Sequence, residues 1–415
     1  MIKNECLIEF SCLSKELTSS LSKDIKKNNG IFFTPPSIIK KCIQIISSLQ
    51  LEYNNILEPS CGSCEFVKYM DDIYDNVNID AIENNELIFK NIKDIKFKNN
   101  IKLYNDDFLD WNNTSKYNLI IGNPPYFVIK KEDIKKEYNK YYTGRPNIFI
   151  IFIIRCLFML EKNGVMCFIL PSSFMNCLYY DKLRKYIYKN YRIIDIVNCK
   201  EDSYIETKQE TIILVIKNEI PSYDTLSNDT LSNNTYTTNI NDYTIFNSAT
   251  NIIKLNKLYN NSTTLNSINI DITVGKVVWN QNKDILTDDC NYTRLIYSSD
   301  ISNNKVSYKE YDNKYKKNFI KKKGNNELCI VVNRGYGNGS YKFEYCLVDI
   351  ESDYLIENHL IQLKFNKEIN NDREIYNKIL KSFDNEKTKE FIKLYFGNNA
   401  INTTELKYIL PIYDI

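Results

Sequence analysis

Between residues 30 and 217, short apolar runs alternate with segments whose apolar residues recur at helical spacing. The apolar runs predict strands at 55–58, 77–83, 101–104, 117–121, 165–170, 192–198 and 211–217. Helical spacing predicts helices at 36–49, 65–70, 86–97, 147–160 and 174–190, and the Thr-Pro-Pro start of the first suits a helix N-terminus. Strands that alternate with helices in this way predict an α/β domain with helices on both faces of the sheet.

The pattern changes at residue 221. Residues 221–250 are rich in Asn, Ser and Thr and repeat Asp-Thr-Leu-Ser-Asn at 224–228 and 229–233, which predicts a low-complexity linker or a long surface excursion. Residues 251–415 contain short strand-like runs, including 276–279 and 328–333, and we expect a separate α+β domain there. The predicted organisation is a first domain at 1–220, a linker at 221–250 and a second domain at 251–415.

Composition limits the classes of function. Of 415 residues, 43% are hydrophobic and 26% charged, as in soluble globular proteins. The formal net charge of +2 excludes a strongly basic protein, so a nucleic-acid surface would require local charge asymmetry. The candidate is the run Lys314-Tyr315-Lys316-Lys317, continued by Lys321-Lys322-Lys323, although a solvated lysine-rich loop explains this run equally well.

Cysteine and histidine usage argues against a disulfide scaffold and against a metal site. The twelve cysteines follow no disulfide framework and no signal peptide precedes them, so we expect reduced thiols and a cytoplasmic protein. The pair Cys61 and Cys64 has no second pair at zinc-site spacing, and His359 is the single histidine. The longest apolar run, 148–160, contains Arg155 and is too short for a bilayer, so we expect a buried helix and no membrane partner.

One motif at the end of the fourth predicted strand carries chemistry: Asn123-Pro124-Pro125-Tyr126. The lone pair of an aromatic amine is delocalised, so two acceptors for its N–H groups favour the pyramidal nitrogen that can attack. The Asn123 side-chain oxygen and the Pro124 carbonyl are such acceptors, and the fixed φ angles of the two prolines hold them. Tyr126 offers an aromatic face on which a flipped base can stack. The motif predicts methyl transfer to a planar amine nitrogen without a metal.

A second set of residues at strand ends predicts a cofactor site. The first strand ends in the turn Glu58-Pro59-Ser60-Cys61-Gly62, where glycine permits close approach of a ligand to the backbone. Glu83 ends the second strand, where a carboxylate can accept hydrogen bonds from ribose hydroxyls. Asp107 and Phe108 follow the third strand, where an acid can accept from an adenine amine beside an aromatic ring. Each acid alone is explained by helix capping, whereas three in register indicate a nucleoside-containing cofactor.

These motifs, in this order, resemble the gamma class of N6-adenine DNA methyltransferases from restriction–modification systems. The resemblance covers residues 30–217 and implies a Rossmann-like methyltransferase sheet, with S-adenosyl-L-methionine as the cofactor. It implies that Thr34 and Pro35 contact the methionine part of the cofactor, that Asn123 to Tyr126 are catalytic, and that Tyr204 clamps the flipped base opposite Tyr126. It also implies a C-terminal target-recognition domain, a double-stranded DNA partner, no metal and a monomer.

The resemblance is looser in the second domain, where the segments 275–280 and 333–339 look like pieces of such recognition domains. They make Lys276, Trp279 and Arg334 the candidate DNA contacts. Arg334 is suited to pair with guanine in the major groove, although a phosphate contact or an ordinary surface arginine explains it equally well.

One residue departs from the family pattern. The cofactor loop usually carries a glycine where this chain has Cys64, and a Cβ there is expected to narrow the pocket and weaken cofactor affinity without abolishing binding.

Two other substrates share the chemistry. Enzymes that methylate a glutamine amide in a protein also use Asn-Pro-Pro-Tyr, but their extra domain precedes the catalytic one, whereas here about 165 residues follow the linker. Structured RNA is the second alternative. Methylation of cytosine C5 is not expected, because that reaction needs a thiolate nucleophile on a Pro-Cys pair and this chain has no Pro-Cys.

Overall fold

The computed structural model describes residues 9–199, 204–207, 209–221, 233–311, 313–334, 341–365, 372–396 and 400–415. The chain divides into two compact units, a first unit at residues 1–252 and a second unit at 253–415. Most of the predicted repeat at 224–233 and the glycine-rich segment at 335–339 lie outside the described residues.

The first unit alternates helices and strands, as its sequence predicts. Two helices precede the predicted pattern, α1 (Cys12–Ser20) and α2 (Lys23–Asn29). The elements that follow are α3 (Pro36–Ser48), β1 (Asn55–Glu58), α4 (Glu65–Ile73), β2 (Asn78–Glu83), α5 (Glu86–Ile92), β3 (Asn100–Asn105), β4 (Tyr117–Gly122), α6 (Ile148–Met159), β5 (Leu160–Pro171), α7 (Asp181–Asn190), β6 (Arg192–Asn198) and β7 (Thr211–Lys217).

The seven strands form one sheet in the order β3-β2-β1-β4-β5-β7-β6. Only β7 runs antiparallel to its neighbours β5 and β6, and the remaining pairs are parallel. The carboxyl ends of β1 to β4 therefore meet at one edge of the sheet, which is where open α/β sheets bind ligands. The predicted Rossmann-like α/β class is confirmed.

The core lies on both faces of this sheet because neighbouring strand residues point to opposite faces. Ile56 packs in the layer that contains α3, while the next residue, Leu57, packs in the layer that contains α6. Helix α6 is apolar nearly all round and is buried, as a helix of that composition must be. No helix of the described residues is long and apolar enough to span a membrane.

The segment predicted as a linker differs from the prediction where it is described. Strands β8 (Thr237–Ile240) and β9 (Tyr243–Phe246) form a hairpin in the first unit. The fully buried Arg184 donates to the Thr244 carbonyl at 2.6 Å, and Asp181 accepts from the Thr244 N–H at 2.8 Å. These long-range contacts are invisible in local composition, so the first unit extends to residue 252 instead of ending at 220.

The second unit combines small sheets with helices. The boundary at 252 falls inside α8 (Ala249–Tyr259). Its further elements are β10 (Ser262–Thr264), β11 (Ile270–Val274), β12 (Leu286–Thr287), β13 (Thr293–Ile296), β14 (Ile301–Ser302), β15 (Lys305–Val306), β16 (Phe319–Ile320), β17 (Cys329–Asn333), β18 (Tyr345–Val348), β19 (Tyr354–Ile356), β20 (Leu360–Phe365), α9 (Asp372–Phe383), α10 (Glu386–Tyr395), α11 (Thr403–Tyr408) and β21 (Pro411–Tyr413).

Two four-stranded sheets organise the second unit, in the orders β11-β20-β17-β18 and β12-β16-β13-β19. The predicted α+β character is therefore observed, and the run 328–333 is a strand. The run 276–279 is not a strand. There Val277 makes an isolated bridge to Glu357, and Trp279 begins a 3-10 turn. Gly275 passes so close to the Glu357 backbone that a Cβ at this position would lie 2.2 Å from the Glu357 carbonyl oxygen.

Candidate active site

A cavity of about 280 Å³ lies at the sheet edge where β1 to β4 end. Glu58 and Glu83 are the last residues of their strands, Asp107 follows β3, and Asn123 follows β4 directly. The cavity lining contains most residues that the sequence analysis singled out for the site: Pro59, Ser60, Gly62, Glu83, Asp107, Phe108, Asn123 and Pro125.

The turn after β1 presents its backbone to this cavity. Gly62 has φ +53°, a left-handed conformation that glycine adopts without strain. Its N–H donates to Glu83 at 2.9 Å, and the Cys61 N–H donates to the Ile82 carbonyl at 2.8 Å. The turn is thereby attached to the end of β2, so the two parts of the predicted cofactor site form one rigid edge.

Cys64 has a backbone conformation that favours glycine, and its side-chain position corrects our expectation about the pocket. Cys64 has φ +61°, which costs a residue with a Cβ about 1 kcal/mol. Its side chain is fully buried among Cys61, Val67 and Ala81 and lies outside the lining of the cavity. The Cβ therefore strains the turn without narrowing the pocket.

Glu83 is placed to accept further hydrogen bonds from a ligand. Its two oxygens accept from the Gly62 and Asn85 N–H groups, at 2.9 and 2.7 Å. Burial raises the pKa of Glu83 to about 7, and these two hydrogen bonds oppose the rise. The carboxylate is ionised above that pH and retains free lone pairs toward the cavity it lines.

Phe108 and Asp107 form the wall after β3. Asp107 accepts from the Leu109 N–H at 2.8 Å, which caps the turn, and from the Asn84 side chain at 3.3 Å. Phe108 is 1% exposed, and the Arg155 guanidinium lies 4.9 Å from its ring centre. Arg155 also donates to the Leu109 carbonyl, so it holds the whole wall in place; nothing in the sequence marked it as a site residue.

A smaller cavity of about 40 Å³ lies beside the first and is lined by Thr34, Glu58, Cys61 and Asn123 among others. Glu58 is buried, and its Oε2 atom has no hydrogen-bond partner among the described residues. Burial raises the pKa of Glu58 well above its usual range. An unpartnered buried carboxyl is costly, so this cavity is suited to a cationic or hydrogen-bond-donating ligand group. Pro35 lines neither cavity and instead starts α3 as its N-cap.

Asn123 is held at three atoms by three segments. Its Nδ2 donates to Thr34 Oγ1 at 3.1 Å and to the Phe32 carbonyl at 3.4 Å. The Ser60 hydroxyl donates to its backbone carbonyl at 3.1 Å, and the Tyr126 hydroxyl donates to its Oδ1 at 2.5 Å. A carbonyl only accepts, so the contact with Phe32 fixes the amide with Nδ2 toward the Thr-Pro segment and Oδ1 away from it.

The Tyr126 hydroxyl makes hydrogen bonds that the prediction of a stacking face did not include. Its hydroxyl lies 2.8 Å from the Ile169 carbonyl as well as 2.5 Å from Asn123 Oδ1, and it has one proton for the two acceptors. Its ring packs edge-on against Phe149, with ring centres 6.0 Å apart. Burial raises the pKa of Tyr126 well above its usual range, so the hydroxyl stays protonated and donates.

Gly30 supports this arrangement and was missed in the sequence. It has φ +61°, and a Cβ at this position would lie 2.5 Å from the Tyr126 backbone nitrogen. Glycine is therefore required twice, for the conformation and for the close approach. The detectable signal is a glycine that ends a helical segment just before the Thr-Pro motif.

Tyr204 does not line the main cavity. It is 7% exposed and packs in the α3 layer, and it lines a small cavity with Phe32 and Phe33. Residues 200–203, which precede it, lie outside the described residues.

The candidate DNA contacts of the second unit surround one turn, at Glu357 to Leu360. The Arg334 backbone N–H donates to the His359 carbonyl at 3.0 Å, and its Nη1 donates to the Asn358 carbonyl at 3.2 Å. The Asn358 N–H donates to the Val277 carbonyl, which brings exposed Lys276 beside the same turn. Trp279 is half-buried and packs against a separate apolar cluster that contains Tyr297, so only part of its ring is accessible to a ligand.

The chain is similar to known methyltransferases. Residues 13–205 match the family model described as Eco57I restriction-modification methylase. The Type II methyltransferase M.CvrRI of Paramecium bursaria Chlorella virus XZ-6E is 27% identical over 413 residues, 97% of this chain and 99% of that protein. The modification methylase CviBIII of Paramecium bursaria Chlorella virus NC1A is 29% identical over 217 residues, 51% of this chain and 55% of that protein. A type I restriction–modification methyltransferase subunit of Streptococcus thermophilus superposes with a TM-score of 0.39 and 16% identity, covering 56% of this chain and 54% of its own.

Proposed function

We propose that the chain transfers a methyl group from S-adenosyl-L-methionine to N6 of an adenine flipped out of a specific duplex DNA site, and the similarity of residues 13–205 to the restriction–modification methylases supports this proposal. The observation that carries the proposal is the amide of Asn123. It lies at the edge of the cofactor cavity with its orientation fixed and its oxygen directed away from the Thr-Pro segment.

The two cavities fit the cofactor that this family uses. The cavity with Gly62, Glu83 and Phe108 offers a backbone edge, a carboxylate and an aromatic wall, which suit an adenosine group. The small cavity offers the unpartnered Glu58 carboxyl, which suits the α-amino group of a methionine chain. When bound, the cofactor supplies an electrophilic methyl group. Among the described residues no cluster suited to a metal ion occurs.

The residues of the chain then act on the target amine. Asn123 Oδ1 and the Pro124 carbonyl accept its two N–H groups, which concentrates electron density on the nitrogen. The Tyr126 hydroxyl gives up Asn123 Oδ1 to the incoming amine and keeps the Ile169 carbonyl as its acceptor. Thr34 holds the opposite end of the amide, so Oδ1 stays directed at the target.

Similarity to M.CvrRI, a Type II methyltransferase, extends over nearly the whole chain and supports DNA over a protein glutamine or RNA as the substrate. The second unit then serves as the target-recognition domain. Lys276, Arg334 and the turn at Glu357 supply its candidate contacts with bases or phosphates.

A competition experiment tests this proposal. The chain is incubated with cofactor labelled in the methyl group and with equal amounts of genomic duplex DNA, structured RNA and a glutamine-containing peptide. We expect label in DNA alone. Label in RNA or in the peptide, with DNA unlabelled, would reject the proposed substrate.

A further inference from the structure

Positive charge in the second unit is concentrated in one segment. Residues 283–323 contain ten Lys or Arg against six Asp or Glu, together with five tyrosines, while the whole chain carries a net charge of only +2. Basic side chains interleaved with aromatic ones are the composition of nucleic-acid surfaces. Whether they form a surface depends on the register of the strands that carry them.

That register places them on one face. Antiparallel pairing sets Arg294 of β13 opposite Phe319 of β16, and the next same-face pair along the ladder sets Tyr292 beside Lys321. The Lys321 ammonium lies 5.6 Å from the Tyr292 ring centre, and the Arg294 guanidinium lies 5.0 Å from that of Phe319. Tyr308 covers the guanidinium at 3.7 Å. These five residues are the tyrosine–lysine face.

The face is open. Tyr292 is 44% exposed and Tyr308 is 48% exposed, so both rings present part of their surface to solvent. Lys321 is exposed, and it has no ion-pair partner in the part of the chain that the structure describes.

Two acidic residues of this segment have partners within the second unit. Asp300 is fully buried and accepts from the Tyr297 N–H at 3.0 Å and from the Tyr311 hydroxyl at 2.9 Å. Asp288 pairs with Lys317 at 2.5 Å. Asp288 is therefore paired with a cation, and Asp300 is buried and hydrogen-bonded to Tyr297 and Tyr311.

Arg294 itself lacks acceptors. Its Nε and Nη2 atoms are buried without a hydrogen-bond partner among the described residues, held between the rings of Tyr308 and Phe319. Buried N–H groups without acceptors are costly, so an anion that supplies oxygen atoms at this site stabilises the arginine. The half-exposed Tyr308 is the group whose displacement gives access.

We propose that the tyrosine–lysine face binds the phosphate backbone of duplex DNA, separately from Arg334 and the turn at Glu357 to which Arg334 is hydrogen-bonded. The proposal rests on the proposed function for its choice of DNA as the partner. Phosphate contacts set affinity and register without recognising sequence, so this face determines how tightly any duplex is held.

The test compares two lysines of the same unit. Lys321→Gln removes a charge from the face, and Lys393→Gln removes one from the exposed side of α10, outside it. Binding of a labelled 30-base-pair duplex of arbitrary sequence to the full chain is measured by fluorescence anisotropy over a range of salt concentrations. We expect Lys321→Gln to weaken binding severalfold at low salt and to reduce the slope of log affinity against log salt by about 0.9, whereas Lys393→Gln leaves both at wild-type values.

Arg294→Gln provides a second measurement at the face and is expected to weaken binding for every duplex sequence alike. Equal slopes for Lys321→Gln, Lys393→Gln and the wild type would overturn the proposal, as would preferential binding of RNA of the same length. Failure of the proposed function would give a different result. The wild-type protein would bind duplex DNA with this salt slope and leave the DNA unmethylated.

Discussion

Asn123 in the first unit and Arg334 in the second unit are held in different ways. Three segments from separate parts of the sequence fix Asn123 through its amide nitrogen, its amide oxygen and its backbone carbonyl. Arg334 is held by a single turn, through its backbone N–H and one guanidinium nitrogen. The chemistry of one fixed amine requires a preorganised acceptor, whereas a surface that meets a deformable partner retains free donors.

The largest effect is expected where the site is most firmly held. Asn123→Ala removes one acceptor for the target amine, and we expect turnover to fall on the order of 100- to 1000-fold. Cofactor affinity, measured by isothermal titration, should stay within about twofold of the wild type. Asn91→Ala on the exposed side of α5 is the matched control. Wild-type turnover in Asn123→Ala would contradict the assigned role.

A substitution at Thr34 separates two roles. The family resemblance assigns Thr34 to the cofactor, whereas its hydroxyl contacts Asn123. Thr34→Val frees the amide to rotate, and we expect kcat to fall about 10- to 100-fold with cofactor affinity retained. Thr34→Ser keeps the hydroxyl and should recover most of kcat. A loss of cofactor affinity in Thr34→Val, with kcat unchanged at saturation, would return Thr34 to the cofactor site alone.

The raised pKa of Glu83 predicts that cofactor binding depends on pH. Its pKa is raised to about 7, so the carboxyl is neutral below that pH and loses acceptor capacity for ribose hydroxyls as the pH falls. We expect cofactor affinity to decrease below pH 7, approaching about tenfold per pH unit.

The sign follows from the protons bound. In the ligand-free protein the Glu83 carboxyl is protonated at pH values between its ordinary pKa and about 7. Cofactor binding must release this proton. Glu83→Gln should bind more weakly at pH 8 and lose this slope. An unchanged slope in that variant would assign the dependence to another group, such as Glu58.

The smallest effect is expected at Cys64. Its side chain is buried away from the cavity, so Cys64→Gly should leave cofactor affinity within about twofold of the wild type. Thermal unfolding should change little, because relief of about 1 kcal/mol of left-handed strain offsets the loss of buried contacts. A marked gain of affinity would restore the view that its Cβ narrows the pocket.

Sequence patterns located the strands, and Glu58 and Glu83 lie at the strand ends where the patterns placed them. This succeeded because parallel strands place their carboxyl ends at one edge, so an acid at the end of a strand has a predictable position. The turn at Gly62 and the acid Glu83 were found in this way, and they line the same cavity.

The contacts between segments were not predictable. Ser60 and Thr34 bind Asn123 across 63 and 89 residues of sequence, and no local pattern records such pairs. Arg155 was interpreted only as an interruption in an apolar helix, although it supports Phe108. The hairpin at Thr237 was hidden by polar composition because one buried arginine, Arg184, supplies much of its attachment.

The central claim is that Asn123 activates the N6 amine of adenine in DNA, and the modified base tests it most directly. Duplex DNA is treated with the chain and cofactor, digested to nucleosides and analysed by mass spectrometry. With the wild type we expect N6-methyl-2′-deoxyadenosine. With Asn123→Ala we expect this product to be lost. Methylated cytosine, or undiminished N6-methyladenine with Asn123→Ala, would contradict the claim.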